Sequence, residues 1–159
     1  MDGPFNVMLR SPEIGDAAQK LGAEVRFHSS LPAKLKELAI ITTGRYWGAE
    51  FEWYAHKRYA LQAGVSQATV DAIAQGKRPP SLSADEAVVY DFCAELLETR
   101  QVSDHTFAAA KAKLGERGVV DLIATMGYYH MVSMLLNVDR YPLPEGAKAE
   151  LKPIGKLGR

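Results

Sequence analysis

An all-helical single domain follows from three features of this sequence. Apolar residues recur at three- and four-residue spacing along most of the chain, serines stand where helices would start, and no stretch alternates apolar and polar residues as a strand would. With 159 residues, of which 47% are hydrophobic and 24% charged, the chain has material for one real core and not for two.

The elements follow in order. Residues 1–10 contain Gly3 and Pro4 and show no period, so they read as an arm. Ser11, Pro12 and Glu13 give an N-cap, a proline at the first helical position and an acid in the first turn. Ile14, Ala17, Ala18 and Leu21 then carry a first helix over about 11–25. Ser30 or Leu31 leads through Pro32 into a second helix, in which Leu35, Leu38, Ala39, Ile41 and Thr42 recur up to Gly44 or Gly48. A third runs from Ala49 to Ala63 and stops at Gly64. Ser66 caps a short fourth, closed by Gly76 and the stiff Lys77–Pro80 turn. Ser83 and Glu86 form a capping-box pattern at the head of a long fifth. Ser103 opens a sixth through about Leu114, and Glu116 to Asn137 forms a mostly apolar seventh.

This gives a helical domain over 11–140, with 141–159 as an extension that carries three prolines and three glycines and is expected to be flexible or packed on a partner. Nineteen basic side chains balance nineteen acidic ones, so no net field draws in nucleic acid. The same neutrality gives little colloidal repulsion and fits a homo-oligomer. The single cysteine, Cys93, has no partner for a disulfide within the chain. No signal-peptide pattern opens the sequence and no apolar run reaches the roughly 18 residues of a membrane span, so the expectation is a cytoplasmic protein without a membrane association.

Glu52 and His56 are four residues apart and share one face of the third helix. Glu37 sits among Leu35, Leu38, Ala39 and Ile40 on the second, close enough to the core stripe for burial. If the two helices fold back around the Gly44–Gly48 turn, Glu37 and His56 reach similar depths. A Glu–His pair at this spacing is ordinarily a surface contact worth a few tenths of a kcal/mol. Two carboxylates beside an imidazole, flanked by Trp47, Phe51, Trp53 and Tyr54, suit proton transfer near neutrality instead. The aromatics serve equally as core.

The stretch Glu37–Gly64, ELAIITTGRYWGAEFEWYAHKRYALQAG, resembles the signature of the carboxymuconolactone decarboxylase and alkylhydroperoxidase D-like superfamily. In the peroxidase branch that signature is a Glu, a Cys-x-x-Cys pair and a His four residues after the second Cys. Glu37, His56 and Gly64 match, whereas Ala49 and Glu52 stand at the two cysteine positions. The resemblance covers 31–110 best. It implies an alkylhydroperoxidase D-like bundle and a homo-oligomer, a trimer or a hexamer, acting on a small molecule. Thiol peroxidase chemistry needs a thiolate and a resolving thiol, and neither Ala49 nor Glu52 supplies one. Cys93 reads as a buried core residue.

In the decarboxylase branch a Glu four residues before the His is similar to Glu52 and His56, and the reaction needs no thiol and no cofactor. This implies a cofactor-independent lyase acting on a small unsaturated or aromatic-derived acid or lactone. His56 is then the general acid, Glu37 orients and tunes it, and Glu52 relays protons or binds a substrate hydroxyl or carboxyl. Arg45 is the expected anchor for a substrate carboxylate, ahead of Lys57 and Arg58, which also read as solvated charges. Trp53 and Tyr54 are expected to line the pocket. His130 lies in a Met and aromatic stripe that reads first as core and second as a further pocket residue. His28 and His105 read as solvent-exposed. The four histidines lack paired metal-ligand spacing, so no metal is expected. The alternatives are a peroxidase-related oxidoreductase with altered or lost thiol chemistry, and a non-catalytic small-molecule-binding oligomer.

Overall fold

The computed structural model describes residues 3–153. Its helices are α1 (Pro4–Met8), α2 (Pro12–Ala23), which runs on into a π-helical turn (Glu24–His28), α3 (Ala33–Trp47), α4 (Glu50–Gln62), α5 (Gln67–Ala74), α6 (Ala84–Thr99) and α7 (Asp104–Val138). Among the described residues there is no strand, and the fold is an all-α bundle.

The centre of the bundle is α3. Leu38, Ala39, Ile40 and Ile41 are consecutive and fully buried, which one helical face cannot achieve. A helix apolar all round must be surrounded, and α3 packs against α4, α5, α6 and α7. Its two buried threonines satisfy themselves, with Thr42 Oγ1 donating to the Leu38 carbonyl at 2.7 Å and Thr43 Oγ1 to that of Ala39 at 2.9 Å. One core cluster gathers Leu38, Ile41, Trp53, Phe92 and Leu122. A second gathers Met8, Ala18, Val25, Ile40, Tyr128, Tyr129 and Val132.

The helix ends fall where the chain's polar punctuation puts them. Ser66, Ser83 and Ser103 each accept from the backbone N–H three residues on, and Glu86 returns a bond to the Ser83 N–H at 3.0 Å, completing the capping box. Gly48 takes a left-handed conformation (φ 58°) at the end of α3, so the Ala49 N–H reaches back to the Gly44 carbonyl at 3.0 Å. The α3–α4 link is therefore only Gly48 and Ala49, and the helices form a tight hairpin. Gly115 (φ 72°) kinks α7 between Leu114 and Glu116, the point at which the sequence separates a sixth helix from a seventh.

Three expectations are corrected. The arm contains the helix α1, whose turn is started by Pro4 and whose Val7 and Met8 are buried; five residues are too few to show a period. The first helix does not stop near residue 25 but widens into the π turn that ends at His28. The C-terminal extension folds back on its own chain as far as it is described. The Glu150 and Leu151 N–H groups both donate to the Glu50 carboxylate at 3.0 Å, and the Lys152 N–H donates to the Ala74 carbonyl at 3.2 Å. Its last residues, 154–159, lie outside the described residues. The α7 helix is also long and apolar enough, by composition, to cross a membrane, although half of that window is buried against the other helices, as in a core helix.

Candidate active site

The α3–α4 hairpin brings Glu37, Glu52 and His56 together. By the 1.5 Å rise per residue, Glu37 lies about 16 Å before the Gly48 turn and His56 about 12 Å after it, a difference their side chains span. Exposure is 6% for Glu37, 3% for Glu52 and 4% for His56, so three ionisable groups share a dry interior, where each must find a partner or change its charge. His56 Nδ1 donates to Glu37 Oε2 at 2.7 Å. That bond fixes the tautomer, leaving Nε2 to face the other way.

On that other side Glu52 Oε1 lies 3.0 Å from Nε2, with no donor aligned on it in hydrogen-bond geometry. The Glu52 carboxyl is shifted upward from the ordinary carboxylate value because burial penalises its charge. The nearby Glu37 adds to the rise, and His56 and Arg26 only partly offset it. Glu52 is thus biased toward the neutral acid.

Sequence reasoning missed Arg26. The π turn carries it to His56, where its Nη1 stands 3.4 Å from Nε2 and its guanidinium lies 5.2 Å from the Tyr59 ring centroid. Burial works against its charge, and Tyr129, Glu37 and Tyr59 more than compensate, so Arg26 is held firmly cationic. Lys36 Nζ donates to the Arg26 carbonyl and fastens the turn to α3. The second missed residue is Tyr129, whose ring packs edge-on against His56 at 4.8 Å between centroids and whose hydroxyl is pushed up by burial. Tyr129 was legible in principle, because it continues the buried stripe Leu122, Met126, Tyr129, Val132 and Leu136 of α7. No sequence signal marks Arg26: a π turn has no recognisable pattern.

A cavity of about 220 Å³ opens on this group, walled by Arg26, Glu52, His56, Tyr59, Phe51 and Tyr129. It has room for about seven waters, or one small organic molecule. Glu37 does not line it; Glu37 sits behind the imidazole.

The four residues expected to hold substrate lie elsewhere, for reasons of helical phase. Each residue turns 100° about the axis, so Trp53 and Tyr54 leave the Glu52–His56 face. Trp53 is buried, with its indole N–H donating to Glu150 at 3.2 Å, and Tyr54 is 46% exposed beside Lys57, Arg58 and Glu150. His130, one step past Tyr129, accepts from the Trp47 indole N–H at 2.7 Å, and burial lowers its pKa. Arg45 lines a different cavity, between α3, α5 and α6. Cys93 is fully buried in the core, with its thiol pushed far up by burial, the reverse of a reactive thiolate.

A family model matches residues 12–92, just over half of the chain, and its description is the carboxymuconolactone decarboxylase family. The chain belongs to that family. The matched span holds Arg26, Glu37, Glu52 and His56 together. Among solved structures the fold is similar to that of a protein of unknown function from Agrobacterium tumefaciens, described as a candidate antioxidant defence protein AhpD. The likeness has a TM-score of 0.77 at 16% identity over 90% of this chain and 99% of the other. At that identity it speaks for the fold alone. No curated protein matches the sequence.

Proposed function

We propose that this family member is a cofactor-independent carboxy-lyase acting on a small unsaturated acid or carboxylated lactone. The observation that carries the reading is the buried Glu52 carboxyl, 3.0 Å from His56 Nε2 on the wall of a partly open cavity and biased toward its protonated form.

In the proposed reaction the bond between the ring carbon and the carboxylate breaks, CO₂ leaves, and the electron pair enters an extended enolate. Arg26 faces the enolate oxygen, a fixed cation in a low-dielectric pocket. Phe51, Tyr59 and Tyr129 line the pocket, and a substrate that fills it displaces water, which favours loss of charge from the carboxylate. Glu52 gives its proton to the carbanionic carbon and becomes a carboxylate; when the product leaves, solvent water supplies the replacement proton, which the Nε2 lone pair takes up and passes to Glu52 while Nδ1–H stays bonded to Glu37. His56 is then the relay and Glu52 the terminal acid, the reverse of the division the sequence suggests. Arg26 takes the place expected for Arg45.

The thiol route finds no support in the site, because its cysteine positions hold Ala49 and Glu52. The test is CO₂ release from carboxylated unsaturated lactones. Glu52→Gln and His56→Ala are each expected to lower turnover about a hundredfold or more, and Glu37→Gln to lower it less. Thiol-dependent consumption of hydroperoxide that disappears in Cys93→Ala would overturn the lyase reading. Ligand binding without turnover of either kind would leave a binding protein.

A further inference from the structure

The largest unused feature near α3 is a cavity of about 450 Å³ between α3, α5, α6 and the returning C-terminal segment. It shares no lining residue with the His56 cavity. Arg45 projects into it from the last turn of α3. Its guanidinium lies against Gly76, so close that a Cβ there would stand 2.9 Å from Arg45 Nη2, and Gly76 has the positive φ of 68° that keeps this position free of a side chain. The Arg45 Nε–H is shielded from solvent and has no hydrogen-bond partner. Among the described residues no carboxylate lies within ion-pair distance of Arg45.

A shielded donor without a partner is costly, and on the half-buried Arg45 it calls for a water, an ion or a ligand to complete it. The guanidinium edge presents parallel N–H donors that match a carboxylate. Part of the wall around it is apolar, with Ile73 and Leu97 both buried and Tyr90 half-buried, and Thr42 and Gln75 add polar groups. Glu98 and Lys152 are exposed at the opening and carry opposite charges, so the field inside is set by Arg45. We propose that this cavity is a second binding site, for a small organic carboxylate with an apolar body, anchored on Arg45 and independent of the reaction at His56.

The test uses the full chain, nitrogen-15 labelled. Benzoate is titrated in at fixed ionic strength while the Arg45 Nε–H resonance is followed, and inorganic phosphate is titrated in a parallel sample. Benzoate is expected to move that resonance saturably and to bind more tightly than phosphate, because only benzoate has a body for the apolar walls. In the Arg45 variants, which lack that resonance, binding is read from the Gly76 backbone N–H signal, and Arg45→Lys is expected to weaken benzoate binding about tenfold and Arg45→Gln to abolish it. Arg26→Lys leaves the Arg45 response unchanged, which separates this site from the one in the proposed lyase. An Arg45 resonance that ignores benzoate, or moves equally with any added salt, overturns the proposal. So does benzoate binding in Arg45→Gln at wild-type strength, and phosphate binding more tightly than benzoate overturns the apolar-body assignment.

Discussion

Replacing Glu52 by glutamine keeps the shape of the side chain and removes its proton chemistry, which makes the burial of this carboxyl measurable as stability. Because burial raises its folded-state pKa above the ordinary 4.5, the folded protein holds the Glu52 proton more tightly than the unfolded chain does. The contribution is fully present below about pH 4.5 and is lost as pH rises through the folded pKa. One extra bound proton corresponds to about 1.4 kcal/mol per pH unit across that window. Glutamine is neutral at every pH and escapes the loss. Glu52→Gln and the wild type are therefore expected to be equally stable at about pH 4, and the variant is expected to gain by about 1.4 kcal/mol for each further unit until the folded pKa is passed. For a chain of this length each kcal/mol moves the midpoint by about 2–4 °C, so thermal scans resolve the trend and urea titrations quantify it. A stability difference that does not change with pH would mean that the fold does not hold the Glu52 proton, and one that grows in favour of the wild type would show the carboxylate to be the form the fold prefers.

Further expectations rest on particular contacts. At Gly22 of α2 an added Cβ falls well inside contact distance of the Tyr128 hydroxyl, so Gly22→Ala is expected to cost about 1–3 kcal/mol in urea unfolding, and a neutral result would mean that α2 and α7 do not pack as described. Ser83→Ala removes the capping-box acceptor at the head of α6 and is expected to cost about 1 kcal/mol by the same measurement. Cys93 is expected to resist alkylation in the native protein and to react only at the rate of unfolding; fast labelling would contradict its burial.

Most of the architecture was legible because the chain marks its helix ends with residues of local effect. Ser66, Ser83 and Ser103 cap within four residues of themselves, and Gly48 and Gly115 take backbone conformations that few other residues adopt. The trio was legible for a similar reason, since the four-residue spacing of Glu52 and His56 is helical geometry and the short Gly48 hairpin fixes where Glu37 meets them. What escaped depends on contacts distant in sequence. Arg26 reaches His56 from thirty residues away through a π turn. Arg45 and His130 were drawn to the site by residue type alone, and a rotation of one residue about a helix axis is enough to carry each to another wall. The C-terminal segment looked unstructured because its order comes from groups on other elements, the Glu50 carboxylate, the Trp53 indole and the Ala74 carbonyl.

The protonation state of Glu52 at neutral pH decides the account, and the carboxyl-carbon NMR signal of Glu52, assigned by its disappearance in Glu52→Gln and followed from about pH 4 to about pH 9, reports it directly. A signal that stays at the position of the neutral acid well above the ordinary carboxylate range is the expected result. A signal that has completed its titration near pH 4.5 would leave His56 facing a permanent anion and would contradict the proton transfer proposed here.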